Sequence, residues 1–60
     1  MIIKYLYIER TPHGTRIRRD IPGTCSKEGT YYIGLDSGSA EKQFRADFNC
    51  KGQHFRRIYL

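Results

Sequence analysis

The sequence has no valine and no tryptophan, and it is poor in the other large apolar residues. Leucine, isoleucine and phenylalanine supply 13 of its 60 residues, and hydrophobic residues of all types make up 38%. A chain of about 60 residues buries only about 60% of the surface that its unfolded form exposes. The sequence therefore predicts one thin domain over residues 1–60. Such a domain is too small to enclose a deep catalytic pocket, and it is expected to gain support from a ligand or partner.

Long apolar runs are also missing, which argues against a targeting segment. Lys4 interrupts the apolar N-terminus after three residues, whereas a signal peptide needs roughly 7–15 apolar residues and a membrane-spanning helix about 20. We therefore expect a cytoplasmic protein without a membrane partner. In a reducing compartment Cys25 and Cys50 are expected to stay free thiols, with a disulfide as the alternative.

Recognisable metal and phosphate motifs are absent as well. Four side chains are of types that bind metals: His13, Cys25, Cys50 and His54. They include no Cys-x₂-Cys pair, and the glycines form no GxxxxGK[ST] or GxGxxG loop. We therefore predict no metal, no cofactor and no catalytic residue. The enzymatic alternative is a small ribonuclease that uses His54 with Arg56 and Arg57.

Positive charge and tyrosine are abundant. Eleven Lys and Arg against six Asp and Glu give a net charge of +5, and the isoelectric point is about 9.6. Seven of the cations are Arg, which forms bidentate contacts with phosphate that Lys cannot form. This balance is typical of proteins that bind nucleic acid or an acidic protein surface, and simple solubility charge is the alternative.

Two strands are predicted over residues 2–10 and 15–21. The four residues between them carry Pro second and Gly fourth, which favours a type I turn. A turn centred between its middle two residues fixes three opposed pairs: Ile8 with Ile17, Tyr7 with Arg18, and Glu9 with Arg16.

Because side chains alternate across a strand, this hairpin has two different faces. One face is apolar and is expected to form the core: Leu6, Ile8, Ile17 and Ile21. The other face is aromatic and cationic: Tyr5, Tyr7, Arg16 and Arg18. Cations on one face neutralise phosphates, and bases stack on exposed aromatic rings. We therefore predict a nucleic-acid site at these four residues, with Arg19, Arg56 and Arg57 as further phosphate contacts.

A third strand is predicted over residues 30–36, after a loop at residues 22–29 that is rich in Pro, Gly and Ser. Tyr31, Ile33 and Leu35 alternate there with Tyr, Gly and Asp. This alternation predicts a half-buried strand whose buried face consists of those three residues.

Residues 39–49 fit both a helix and a strand. Ala40, Phe44 and Phe48 lie four apart, as on a helix, whereas the Phe and Ala residues after residue 43 also alternate as on a strand. The many Ala, Glu, Lys, Gln and Arg residues favour the helix. The candidate caps are Ser37 or Ser39 at its start and Gly52 at its end.

Two ion pairs between residues four apart are expected along this helix: Glu41 with Arg45, and Asp47 with Lys51. Residues 53–60 are predicted to form the closing strand. The expected fold class is α+β, a small single-layer antiparallel sheet of three to four strands with one helix between the last two strands. The alternative is an all-β five-stranded meander or small barrel.

The loop from Asp20 to Thr30 resembles a motif of a known family. Its sequence, DIPGTCSKEGT, is similar to the D-[LI]-P-G-C-x-x-x-G-[DE]-T loop of the HicB family of antitoxins, which also follows a hairpin near the N-terminus. The resemblance covers 11 of 60 residues. The cysteine is displaced by one position, and Tyr31 continues a strand where the family's helix begins. The resemblance implies a protein that neutralises an RNA-directed toxin rather than an enzyme.

Two functions are therefore predicted for this chain. The first is a small basic protein, not an enzyme, that binds DNA or RNA through the Arg/Tyr face of its sheet and can pair as a homodimer. The alternative is an inhibitor or antitoxin-like interaction protein that docks its basic face on an acidic partner, since Tyr and Arg also dominate interface hot spots.

Overall fold

Four strands and one helix make up the computed structural model, which describes residues 4–60. The elements are β1 (Tyr5–Thr11), β2 (Gly14–Asp20), β3 (Lys27–Ile33), α1 (Ser37–Asp47) and β4 (Arg56–Tyr59). The strands form one sheet in the order β3-β2-β1-β4. The predicted α+β class and the β-β-β-α-β order are confirmed, and the all-β alternative is wrong because residues 37–47 are helical. The predicted residues 2 and 3 of the first strand lie outside the described residues.

The hairpin of β1 and β2 has the register that the turn predicts. Ile8 pairs with Ile17, and the pairs on either side follow the same offset. The Thr11 hydroxyl oxygen accepts hydrogen bonds from the backbone amides of His13 and Gly14, each at 3.2 Å. This threonine closes the two-residue turn and so holds the register of both strands.

The third strand begins three residues earlier than predicted and presents the opposite face to the core. β3 pairs Tyr32 with Thr15, which is buried. Tyr32 therefore packs against the core, and Ile33 is 78% exposed. The prediction that Tyr31 and Ile33 line the buried face is wrong. Leu35 does pack against the core, because it follows a turn at Gly34.

The helix is capped by residues other than those predicted. Asp36, rather than a serine, is the N-cap, and its Oδ1 accepts a hydrogen bond from the Ser39 amide at 2.8 Å. At the other end Asn49, rather than Gly52, is the first residue with a left-handed backbone, at φ 53°. Asn is the residue that most often replaces Gly at this position.

One of the two ion pairs expected along the helix is present. Arg45 Nε lies 3.1 Å from Glu41 Oε2. The second pair does not form, because α1 ends at Asp47 and that carboxylate instead accepts hydrogen bonds from Tyr32 and Gln43.

The core lies between α1 and one face of the sheet. Its fully buried hydrophobic residues are Leu6, Ile8, Ile17, Ala40, Phe44 and Cys50. The Phe44 and Phe48 rings stack with their centroids 4.4 Å apart. Ile21 follows the end of β2 and is only half-buried. Both cysteines are free, with Cys25 exposed and Cys50 inside the core.

The last strand differs in direction from the expected antiparallel sheet. β4 pairs in parallel with β1, from Tyr5 opposite Arg56 to Ile8 opposite Tyr59. Parallel neighbours need a long crossover connection, and α1 supplies it. Within residues 4–60, no helix is long and apolar enough to cross a membrane.

Candidate nucleic-acid interface

One face of the sheet is covered by α1, and within the described part of the chain no element covers the other. We call the uncovered face the open face. The strand registers place these residues on it: Tyr5, Tyr7, Glu9, Thr11, Gly14, Arg16, Arg18, Asp20, Lys27, Gly29, Tyr31, Ile33, Arg56 and Ile58. Four cations and two carboxylates stand on this face. The excess of positive charge is therefore two.

Tyrosine and arginine stand side by side on neighbouring strands of the open face. Three register pairs have this composition: Tyr5 with Arg56, Tyr7 with Arg18, and Tyr31 with Arg16. All three tyrosines are half-buried, while two of the arginines are exposed. In each pair a tyrosine and an arginine are cross-strand neighbours on the same face, so each pair offers an aromatic ring for a base and a guanidinium group for a phosphate.

The two tyrosines of β1 form a small aromatic surface. The centroids of the Tyr5 and Tyr7 rings are 6.4 Å apart and the rings are tilted by 34°. Tyr31 stands two strands away, with its hydroxyl oxygen 2.6 Å from the Thr11 hydroxyl oxygen. Sequence reasoning did not include Tyr31 among the candidate site residues, because the face on which it stands depends on the register of β3 on β2.

The arginines of the open face have few internal partners. Arg16 Nη1 lies 3.8 Å from Glu9 Oε1, and both side chains are about half exposed (50% and 43%). An exposed pair of this kind contributes little to stability. Arg18 lies beside Gly29, where a Cβ would stand 2.7 Å from Arg18 Cγ. The missing side chain at Gly29 thus leaves room for Arg18 to lie along the sheet.

Asp20 holds two groups of the open face in place. The Tyr7 hydroxyl donates a hydrogen bond to Asp20 Oδ2 at 3.0 Å, and Lys27 Nζ lies 3.9 Å from Asp20 Oδ1. The same ammonium stands 4.9 Å from the centroid of the Tyr7 ring. Desolvation and the hydrogen bond to Asp20 raise the pKa of Tyr7 above its usual value. Tyr7 therefore remains a neutral phenol at ordinary pH.

Two of the predicted phosphate contacts lie on the covered face instead. Arg19 Nε donates to Glu28 Oε1 at 2.7 Å. Arg57 donates to both oxygens of Glu41, at 2.6 Å and 2.8 Å. Hydrogen bonds from Arg57 and then Arg45 lower the pKa of Glu41, and the same pairing raises the pKa of Arg57. The structure thus separates Arg19 and Arg57 from the other five predicted residues.

A cleft of about 310 Å³ opens at the end of the sheet where β1 begins and β2 ends, next to Tyr5. Its walls are Lys4, Tyr5, Arg19, Asp20, Pro22, Gln53 and Phe55. Lys4 Nζ donates to the Gln53 side-chain oxygen at 3.2 Å across it. The cleft thus has aromatic walls and contains both positively and negatively charged side chains.

The residues of the ribonuclease alternative and the candidate metal ligands lie apart in the described part of the chain. Arg56 and Arg57 are consecutive strand residues and project to opposite faces, so they do not converge with His54 on one site. Among residues 4–60, no three His, Cys, Asp or Glu side chains come together as a metal site would require.

Comparison with known proteins identifies no relative. No family model matches the chain, and no curated protein or solved structure matches it.

Proposed function

We propose that this protein binds nucleic acid through the open face of its sheet. The observation that supports the proposal is the set of three tyrosine–arginine pairs on one uncovered face. Arginine binds phosphate oxygens through paired N–H groups, and bases stack on aromatic rings. A face that repeats this combination three times suits a polymer in which base and phosphate also repeat.

The charges of the open face support the same proposal. Its four cations face only two carboxylates, and Arg18 and Arg56 each have a tyrosine rather than an acid as register partner. A phosphate that approaches these arginines does not have to displace an internal carboxylate. Their charge is therefore available for an external polyanion, and binding should weaken as salt rises.

A second candidate function is docking on an acidic protein. It is favoured by two large apolar side chains at the rim of the sheet, Ile33 at 78% exposure and Leu60 at 64%. Exposed apolar residues beside tyrosine and arginine are typical of protein interfaces. A pull-down that returns one stoichiometric protein after nuclease treatment would favour this function.

The nucleic-acid proposal is tested by fluorescence-anisotropy titration of labelled oligonucleotides at two salt concentrations. The variant is the double substitution Arg16→Ala/Arg18→Ala. We expect at least about a tenfold loss of affinity at low salt. Loss of two phosphate contacts should also reduce the slope of log affinity against log salt by about 1.4–1.8.

The matched control removes the same amount of charge from elsewhere. Lys42 and Lys51 are exposed residues outside the open face, so Lys42→Ala/Lys51→Ala also lowers the net charge by two. We expect it to retain most of the affinity and salt slope of the parent protein. Equal losses in both double variants, or no binding at low salt, would contradict the proposal.

A further inference from the structure

We infer that the nucleic acid bound by the open face is single-stranded, with bases on its tyrosines and phosphates on its arginines. This inference rests on the proposed function and names the class of nucleic acid. Three features of the fold carry it: the width of the sheet, the charge of the helix, and the spacing of the tyrosine rings.

The open face is too wide to enter the major groove of a duplex. Neighbouring strands lie about 4.8 Å apart, so the four backbones span about 14 Å before side chains are added. The major groove of B-DNA is about 12 Å wide and admits a helix or a two-stranded ribbon. The hairpin of β1 and β2 is not a free ribbon, because β3 pairs with β2 along its whole length. The open face can therefore not read base edges in that groove.

The helix offers no alternative route into a duplex. Its buried residues Ala40 and Phe44 hold it against the sheet. The charged residues of α1 are two acids and two bases, and one of the bases, Arg45, is bound to Glu41 and to the Gln53 carbonyl oxygen. A helix that enters a groove needs an excess of free cations toward the phosphates. α1 therefore lacks the charge of a duplex-binding helix.

The spacing of the tyrosine rings suits an extended strand. The centroids of Tyr5 and Tyr7 are 6.4 Å apart, nearly twice the rise of about 3.4 Å between bases of one strand in B-DNA. Bases that stack on both rings must separate from each other. A duplex resists this because its bases are paired and stacked, whereas a single strand can stretch and present its base faces to aromatic side chains.

Lys27 marks the position where a base would displace a group of the protein. Its ammonium lies over the Tyr7 ring in the free chain, and its side chain is 38% exposed. A base that stacks on this ring takes the place of the ammonium. The released Lys27 ammonium then lies beside the bound nucleic acid, where it can neutralise a phosphate.

The test compares labelled 12-nucleotide single strands with the duplex of the same sequence, in both DNA and RNA, at 50 mM and 200 mM salt. We expect the unmodified protein to bind the single strand at least about tenfold more tightly at the higher salt. Because the chain contains no Trp, its fluorescence reports tyrosine directly, and single-strand binding should quench it.

Tyrosine variants add a second readout. Tyr5→Leu and Tyr31→Leu each keep an apolar side chain, and we expect each to weaken single-strand binding several-fold. The control Tyr59→Leu changes an exposed tyrosine of the covered face and should leave affinity unchanged. Circular dichroism of every variant shows whether the fold is retained.

The outcomes separate the two proposals. Equal affinity for single strand and duplex, or preference for the duplex, would overturn the single-strand inference and leave the proposed function standing. Single-strand binding without tyrosine quenching would also overturn it, because stacking would be absent. Binding to neither form would overturn both proposals.

Discussion

The covered face and the open face of the sheet each carry three strand arginines, and their surroundings differ. On the covered face these are Arg10, Arg19 and Arg57; on the open face they are Arg16, Arg18 and Arg56. Arg19 and Arg57 bind Glu28 and Glu41 through short hydrogen bonds, at 2.7 Å and 2.6 Å. Arg10 lies over the Tyr59 ring, 5.2 Å from its centroid. The arginines of the covered face thus have partners within the fold.

Each open-face arginine has a tyrosine as a register partner, and Arg16 also pairs with Glu9. Among residues 4–60, the contact between Arg16 and Glu9 at 3.8 Å is the one contact of these arginines with a carboxylate. An arginine that binds an internal carboxylate holds two elements together, as Arg57 joins β4 to α1. An arginine beside a tyrosine on an uncovered face keeps its charge for a ligand. The same residue type therefore stabilises the fold on one side and is available for binding on the other.

The largest expected effect comes from removing the carboxylate of Glu41, which two arginines bind on the covered side of the sheet. Glu41 is 12% exposed and receives hydrogen bonds from both Arg45 and Arg57. We expect Glu41→Gln to lower the free energy of unfolding by about 2 kcal/mol, since hydrogen bonds to charged groups contribute roughly 1.5–3 kcal/mol each and Arg57 is partly solvated. Chemical denaturation measures this change.

Glu9→Gln is the matched control on the open face. Glu9 is 43% exposed and lies 3.8 Å from Arg16, so we expect a change within about 0.5 kcal/mol. Oligonucleotide affinity should rise slightly because one negative charge leaves the open face. A larger stability loss for Glu9→Gln than for Glu41→Gln would contradict the distinction between the two faces.

The same carboxylate makes stability depend on acid pH. Hydrogen bonds from Arg57 and Arg45 lower the pKa of Glu41 in the folded chain, and the N-cap contact with Ser39 lowers the pKa of Asp36. A lowered folded-state pKa gives stability that is complete above the unfolded value, near 4.3 for Glu, and that is lost as pH falls through the folded value.

Denaturation between pH 7 and pH 2.5 should therefore show the protein losing stability below about pH 4.3. The Glu41→Gln variant should lose less stability over this range, because Asp36 still titrates whereas residue 41 is then a neutral amide. Parallel pH curves for the two proteins would show that Glu41 carries no such linkage.

The smallest expected effect is a change in the pKa of Tyr7 when the carboxylate of Asp20 is removed. Desolvation and the hydrogen bond to Asp20 raise the pKa of Tyr7. An absorbance titration of the parent protein and of Tyr7→Phe identifies the Tyr7 signal as the difference between the two curves. This signal should appear at a pH above the ordinary tyrosine pKa of about 10. Asp20→Asn should move that signal to lower pH, because the neutral amide no longer opposes formation of the phenolate. An unmoved signal would mean that Asp20 does not control this tyrosine.

Local rules account for most of the hairpin and the helix. The two-residue turn sets the pairing of Ile8 with Ile17, and through it the face on which Tyr5, Tyr7, Arg16 and Arg18 stand. Alternation of side chains along β2 also places Arg19 on the face opposite to Arg18. The partner of Arg19, Glu28, was not predictable, because it depends on β3 beginning at Lys27 inside the predicted loop.

Long-range pairing explains what the sequence did not reveal. The face of Tyr31 and Tyr32 follows from the register of β3 on β2, and two adjacent tyrosines give no local signal for which one is buried. The parallel pairing of β4 with β1 depends on where α1 returns the chain. Alternation alone puts Arg56 and Arg57 on opposite faces, and that pairing decides which of the two stands on the open face.

Arg56 and Arg57 allow the most direct test of the two-face account, because they are adjacent in β4 and differ in face. Unfolding free energy and single-strand affinity would be measured for Arg56→Ala and Arg57→Ala, which carry the same net charge. The account predicts that Arg56→Ala binds several-fold more weakly with stability within about 0.5 kcal/mol of the parent. Arg57→Ala should keep its affinity and lose about 1–2 kcal/mol of stability. The reverse assignment, or equal losses of binding in both variants, would contradict it.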